Sequence, residues 1–500
     1  MKGVKLVKEC DVPKDASKLG ARVREMRKSR GLTQVELARR LEISASYLNL
    51  IEHQQRSLTA PLLLRLAKEF ELDLAAFAAD GDDQLMPDLA EVLSDPVFSS
   101  GAPTQAELRD FVDASPELAR RLVQLFRAYK EASESADSLA SRIYDGHQEV
   151  GTVAPVGLAS EEVSDFIQRQ DNYFEALEQR ADALRASLGL STTDDAEVTR
   201  TRGLLEGRLV DHLEAKFGIR VEHIAARKRP MTLRRFDAEG KTLQLAEVLP
   251  ASSRNFQLAA QVALIEHDGL LSDLARHSTL ASPGAVALAR VVLANYFASA
   301  VLMPYEAMLS AVARERYDIE LLGQRFGASF EQVCHRLTSL RRPGSEGIPF
   351  HMIRVDLAGN ISKRFSASGI RFARFAGACP RWNVFRAFLS PGAIRVQTSV
   401  MPDGDAYFCV ARTVLRGYGD YHMPRTILAI GLGCQMQFAR DMVYSDGVDI
   451  DTVEGALPIG VTCRLCERTD CEQRAFPSIR IGAAIDENLR GPSPYATPRE

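Results

Sequence analysis

Apolar residues return every three or four positions through residues 19–70, and capping signals break that run into four short helices. Ser17 caps the first and Gly31 ends it. Thr33, with Glu36 three residues on, forms a capping box for the second. Ser44 opens the third after the turn Leu41-Glu42-Ile43, and Thr59 with Pro61 opens a fourth. Leu19, Val23, Met26, Leu37, Ala38, Leu41, Ile43, Leu48 and Ile51 fall on the inward faces and make one core. Residues 76–104, broken by Pro87, Pro96 and Pro103, read as a linker. A long amphipathic helix follows, capped by Ser115 with Pro116 at its first position. Its stripe of Leu118, Leu122, Leu125, Phe126 and Tyr129 needs a partner surface, which favours a dimer contact.

Beyond residue 151 the pattern mixes periods. "SEEVSDFIQRQDNYFEALEQRADAL" and residues 196–217 predict helices, and 219–224, 232–237 and 241–248 predict short strands. "SRNFQLAAQVALIEH" (residues 253–267) is a capped helix that is apolar almost all round, and residues 293–309 and 325–340 supply further helices. From residue 346 the period becomes two, with Ala-Gly-Asn and Pro-Asp-Gly-Asp turns between alternating segments. "RTILAIGLGCQMQFARDMVYSDG" predicts a strand, a glycine turn shaped like an anion cradle, and a helix. The expected class is α+β multidomain. An all-α head spans residues 17–75, and an acidic linker with the long helix spans 76–150. An α+β domain spans 151–345, and a strand-rich α+β domain spans 346–500.

Composition narrows the function. With 46% hydrophobic and 26% charged residues the chain buries real cores. The longest apolar runs stop short of the ~20 residues a membrane span needs, and Met1–Glu9 is no signal peptide, so a cytoplasmic protein without membrane contact is expected. Eight cysteines in 500 residues suit thiols in a reducing compartment. The net charge of −4 argues against a wholesale nucleic-acid binder, yet it hides an asymmetry. Residues 17–60 hold nine Lys/Arg against four Asp/Glu, whereas residues 69–95 hold nine acids and no Lys or Arg.

On the basic head, Gln34, Ser44, Ser46, Tyr47, Asn49 and Arg56 face outward. Small hydroxyl and amide groups at a helix start suit base edges in a major groove, while Gln34 and Arg56 suit phosphates. The head resembles the Xre/Cro-type helix-turn-helix family over about 55 residues, which implies promoter DNA as a partner and a homodimer or higher oligomer on a two-fold operator. Glu42 departs from the glycine common in that family.

The middle of the chain, with "NYFASAVLMP" as its most specific segment, resembles the ImmA/IrrE metallopeptidase-like domain. Active members hold zinc with His-Glu-x-x-His on one helix face. Here the aligned residues are Ala260, Gln261 and Leu264, and Val291 stands where a third ligand is usual. The resemblance therefore implies a degenerate, non-enzymatic domain, with no catalytic residues, whose apolar cleft takes a ligand. His267 is read as a satisfied or solvent-facing imidazole.

In the tail, Cys463, Cys466 and Cys471 have C-x₂-C-x₄-C spacing in an arginine-rich loop, which favours thiolate ligation. Cys379 is the candidate fourth ligand, and Cys409 and Cys434 are alternatives in strand-like contexts. Zinc and iron–sulfur are not separated by spacing. Cys10 and Cys334 read as incidental.

Taken together, "SYLNLIE", "DFIQRQDNYFEALE", "NYFASAVLMP", "DLAGNISKR", "ACPRWNVFRAF", "IGLGC" and "CRLCERTDC" resemble the short-chain fatty acyl-CoA transcriptional regulators, the ScfR family with its PrpR- and RamB-type members. That resemblance implies a DNA-binding regulator of short-chain acyl-CoA or propionate assimilation genes. Its effector would be propionyl-CoA or acetyl-CoA, its cofactor an iron–sulfur cluster rather than zinc, and its further partner RNA polymerase. Arg169, Tyr173, Lys363, Arg364 and Arg371 would meet the polar parts of the coenzyme, and Tyr296 with Ala260 would line the acyl pocket. Two other readings compete: a redox or iron–sulfur sensor without an organic ligand, and a zinc protease of the ImmA/IrrE type.

Overall fold

Thr33 starts the first helix described in the computed structural model. Its side chain accepts from the Glu36 amide while the Glu36 carboxylate accepts from the Thr33 amide, a closed capping box. The structure describes residues 32–41, 43–52, 85–95, 103–144, 156–225, 232–276, 283–372, 378–417 and 425–478, with isolated positions such as Arg27, Arg56, Leu62, Leu66 and Phe70. The expectations at Cys10, Ser17, Leu19, Val23, Met26, Gly31, Glu42, Thr59 and Pro61 lie outside the described residues.

Helices α1 (Gln34–Arg40) and α2 (Ala45–Glu52) are joined by the short turn, and the Tyr47 amide donates to Ser44 Oγ at 3.1 Å. Leu37, Ala38, Leu41, Leu48 and Ile51 are buried with Leu62, Leu66 and Phe70. The acidic linker is less irregular than its prolines suggest. Helix α3 (Leu85–Leu93) carries Pro87 inside its first turn, where a missing N–H is harmless, and buries Leu89 and Val92 completely. Next come α4 (Gln105–Ala114), with its own Thr104–Glu107 capping box, and α5 (Pro116–Tyr144). The single stripe expected on α5 splits in two. Ala119, Val123 and Phe126 are buried, whereas Leu118, Leu125 and Tyr129 are 61%, 67% and 45% exposed. The chain forms two compact units, residues 1–89 with 103–122, and residues 90–102 with 123–500.

The larger unit begins with α6 (Val156–Arg169), α7 (Glu175–Ser187), α8 (Asp195–Thr201) and α9 (Leu205–Phe217). A three-stranded sheet follows, β1 (Arg220–Ile224), β2 (Arg234–Asp237) and β3 (Thr242–Ala246), in the order β1-β3-β2. Then come α10 (Ala251–Glu266), α11 (Asp268–Arg276), α12 (Pro283–Leu302), α13 (Tyr305–Arg314), α14 (Ile319–Phe326) and α15 (Phe330–Thr338). Pro304 ends the helix that the sequence reading ran on to residue 309. The stretch Gly284–Leu302 of α12 is long and apolar enough to cross a membrane by length and composition, contrary to expectation. In this fold it is a core helix, with Leu293, Phe297, Ala298, Val301 and Met303 just beyond its end all at 0% exposure.

Strands β4 (His351–Asp356), β5 (Ile361–Ser366), β6 (Arg395–Val400), β7 (Ala406–Arg416), β8 (Thr426–Gln435) and β9 (Leu457–Pro458) form one sheet in the order β5-β4-β8-β7-β6-β9. Helix α16 (Asn383–Arg386) lies between β5 and β6 in the chain. Alternation gives the sheet two apolar faces. Met352, Phe408, Val410, Ile430, Leu432 and Cys434 join the helical core, while Ile353, Val355, Cys409, Ala411 and Ala429 pack with Trp382 and Val384. The glycine turn expected in "IGLGC" is absent. β8 runs straight through both glycines because their missing side chains make room for neighbours. A Cβ on Gly433 would stand 2.5 Å from His351 Nε2 and 2.6 Å from Cys409 Sγ, and one on Gly431 would stand 3.0 Å from Ile353 Cγ2.

Candidate functional site

On the head, Ser44, Ser46, Asn49 and Arg56 are exposed and Tyr47 is half-buried. The Gln34 amide donates to Asn49 Oδ1 at 3.1 Å and to Glu52 Oε2 at 2.8 Å. Glu52 is buried and accepts both Arg27 Nε at 2.6 Å and Arg27 Nη2 at 2.9 Å. Sequence reasoning missed this ion pair; the only available signal was an acid in the last turn of an otherwise apolar helix face.

In the middle of the chain, Ala260 and Gln261 are buried on α10, Leu264 is half-buried, and Val291 is 42% exposed on α12. Tyr296 is committed within the core. Its hydroxyl donates to Glu178 Oε1 at 2.6 Å and accepts from the Phe174 amide at 3.3 Å. Glu178 also takes both terminal nitrogens of Arg336, at 2.6 and 2.9 Å, with both partners fully buried. Arg336 Nε donates to Met303 O and Arg185 Nη1 to Val301 O, each at 2.8 Å, so two cations satisfy carbonyls at the end of α12. Burial brings Arg185 down to about 10. Ala260 and Tyr296 are thus both packed within the core. His267 is half-buried against the Phe297 ring at 5.2 Å, and burial lowers its basicity.

Lys363 and Arg364 border one seam where α6, α15 and β5 meet. Arg364 pairs with Glu161 of α6, and Gln168 exchanges two hydrogen bonds with the Ser366 backbone. Arg169 is exposed at the end of α6, and beyond it Asn172 Nδ2 donates to Thr338 Oγ1 at 2.8 Å. Tyr173 bonds Glu175 and accepts from Arg342 Nε at 3.0 Å; burial, then the Glu175 contact, raises its phenol. Lys363 points toward α15, where its ammonium donates to His335 Nε2 at 3.1 Å. Arg371 is exposed beyond β5, near enough to Tyr407 for its charge to bear on the phenol.

Cys379, Cys463, Cys466 and Cys471 line one small cavity. Burial pushes the Cys379 thiol up, and the neighbouring Cys463 and Cys466 add to it. Arg474, itself buried, ties the loop by donating to Cys463 O at 2.8 Å and Cys466 O at 2.9 Å, and Arg468 donates to Val400 O at 2.8 Å. Gly460 is needed there, because a Cβ would stand 2.9 Å from Cys466 Sγ. The two alternative thiols lie elsewhere. Cys409 faces His351 Nε2 at 3.5 Å with burial holding it at about 12, and Cys434 points to Met442 in the helical core. Among the described residues no three His, Cys, Asp or Glu side chains stand close enough to hold a single ion between them. Four soft donors spread around one cavity, in a cationic loop, fit a thiolate-ligated cluster.

Comparison with known proteins places these features. A helix-turn-helix family matches residues 23–77, an IrrE N-terminal-like domain matches 214–338, and the family described as short-chain fatty acyl coenzyme A regulator, C-terminal, matches 339–495. The HTH-type transcriptional regulator PrpR of Mycobacterium tuberculosis is 40% identical over 479 residues, covering 96% of this chain and 95% of that protein. The chain belongs to the ScfR family. This ScfR member is 40% identical over 482 residues to the propionyl-CoA carboxylase regulator of Cereibacter sphaeroides, covering 95% of the chain and 98% of the relative. It is 38% identical over 481 residues to the RamB regulator of M. tuberculosis, with the same two coverages. A solved M. tuberculosis transcriptional regulator matches with a TM-score of 0.63 at 40% identity, covering 68% of this chain and 99% of that one. The ScfR chain is accordingly a helix-turn-helix transcriptional regulator with an α+β body.

Proposed function

We propose that this ScfR regulator reads promoter DNA as a homodimer and is switched by a short-chain acyl-CoA, propionyl- or acetyl-CoA, in control of genes that consume such acyl groups. The observation that carries the effector reading is the α6–α15–β5 seam, which Lys363 and Arg364 border and which Gln168 and Asn172, the chain neighbours of Arg169 and Tyr173, bridge. A ligand held there contacts both the IrrE-like part and the C-terminal part, so its differential affinity for two arrangements can shift the heads. The name of the Cereibacter relative points to the same chemistry. Ser44, Ser46, Tyr47 and Asn49 would read bases, Arg56 a phosphate, and Gln34 would position Asn49. In this reading the protein is not an enzyme, since Ala260, Gln261 and Leu264 offer zinc no ligand. It acts in the cytoplasm and meets RNA polymerase at the promoter. When bound, an iron–sulfur cluster would supply redox sensitivity, and Cys379, Cys463, Cys466 and Cys471 would hold it.

A melting panel of acetyl-, propionyl- and butyryl-CoA on the full chain, run beside operator binding, tests the reading. Binding should raise the melting temperature by mass action. Arg169→Ala or Tyr173→Ala should keep DNA affinity while losing the response. If no thioester shifts melting while iron and sulfide analysis finds a cluster whose oxidation changes operator affinity, the second reading holds. That reading, a redox sensor without an organic ligand, rests on the four-thiol cavity.

A further inference from the structure

Where α15 meets the large sheet, three basic side chains surround one carboxylate. Glu331 is 8% exposed. Its Oε1 lies 2.7 Å from Arg354 Nη1, 3.8 Å from Lys363 Nζ and 3.9 Å from His335 Nε2, and its Oε2 pairs with Arg416. Burial alone would raise the Glu331 carboxyl, but His335, Lys363, Arg416 and Arg354 outweigh it and hold it at about 2. The adjacent Arg412 is balanced by Glu320 at 2.6 Å, so the excess is confined to this cluster. Its inner members, Arg354 and Glu331, have side chains 12% and 10% exposed, whereas the outer ones, Lys363, Arg416 and His335, are 44%, 49% and 35% exposed. The outer side chains are therefore partly exposed. The cluster is short of negative charge.

We infer that Lys363 and Arg416, backed by Arg354 and with His335 beside them, form a binding site for a phosphate monoester. A dianion with three free oxygens matches an arginine fork and an ammonium better than a lone carboxylate would. Glu331 and His335 come from the IrrE-like segment, which ends at residue 338, and the cations come from the C-terminal segment, which begins at 339. An anion here clamps the two together. The inference rests on the acyl-CoA reading in one respect: the 3′-phosphate of coenzyme A is the natural source of the group, with free phosphate or another nucleotide as the other sources.

Calorimetry on the full chain separates these cases. Propionyl-CoA should bind wild-type protein about tenfold or more tightly than 3′-dephospho-propionyl-CoA, and in Lys363→Gln/Arg416→Gln the ratio should fall to about twofold. Glu331→Gln guards against a purely structural effect, since it should tighten adenosine 3′,5′-bisphosphate binding by several-fold where a mere packing role predicts loss. Inorganic phosphate competing as well as the bisphosphate would retain the site and name free phosphate as the source. Equal affinity for both thioesters in wild type, or a ratio unchanged in the double variant, overturns the inference. If neither thioester binds wild type, the acyl-CoA reading falls, and the site then stands or falls on whether the double variant loses the bisphosphate.

Discussion

His351 shows how much a single position depends on its neighbours. The imidazole is 4% exposed, with Nδ1 2.7 Å from Ser368 Oγ and Nε2 3.5 Å from Cys409 Sγ, against the bare backbone of Gly433. Burial holds it at about 3, so it stays neutral in the folded chain. Above about pH 6.5 neither state binds the proton and His351 leaves stability unchanged. Below that value the unfolded chain takes up a proton that the folded chain refuses. Stability should then fall by about 1.4 kcal/mol per pH unit until the pH nears 3. Urea unfolding of wild type and His351→Gln at pH 7.0, 6.0 and 5.0 checks this: the variant's slope should be shallower by one proton. Equal slopes would mean that the imidazole titrates normally in the fold. Glu331 adds the same sign at lower pH, because its depressed carboxyl stabilises above about 4.5 and that contribution is lost toward 2.

At the scale of elements, the head was the most legible part of the sequence. Caps are local, so Thr33, Glu36 and Ser44 announced α1 and α2 correctly, and the apolar period named the buried Leu37, Leu41, Leu48 and Ile51. Exposure of Ser44, Ser46 and Asn49 leads to a prediction. Asn49→Ala should weaken specific operator binding by about 1–3 kcal/mol while leaving melting unchanged, and Arg56→Ala should weaken all DNA equally and reduce the salt slope by about one. Fluorescence anisotropy across a salt series distinguishes the two, and a uniform loss in Asn49→Ala would remove it from base reading. Elements set by distant partners were read less well. "IGLGC" looked like a turn because glycine usually breaks strands, whereas here Gly431 and Gly433 accept Ile353, His351 and Cys409 from neighbouring strands. The thiol set was legible through its spacing, and the sheet then brought the remote Cys379 to the same cavity. The Glu331 cluster was invisible, because its members are 85 residues apart at the extremes and only register aligns Arg354 with Lys363.

At the scale of the whole molecule, the homodimer proposed above would need a surface between copies, and α5 offers one. Leu118, Leu125 and Tyr129 stand in water at spacings that repeat in sequence as Ala132, Ala136, Leu139 and Ile143, the four-and-three rhythm of a helix pair. The opposite face is already occupied by its own fold through Ala119, Val123 and Phe126, so the exposed stripe is not needed for the single chain's core. Such a stripe is costly to leave hydrated, and in the proposed homodimer a second copy of the same helix would cover it with matching side chains. Two heads brought onto one operator would then add their binding energies through effective concentration. The consequence is separable from folding. Leu118→Glu/Leu125→Glu places charges where the isolated chain already meets solvent, so helix content and melting of the single chain should persist. Sedimentation should shift the protein from dimer to monomer, and operator affinity should drop by an order of magnitude or more, about 1.4 kcal/mol at the least, while binding to a half-site stays the same. A variant that remains dimeric would show that the two copies meet elsewhere.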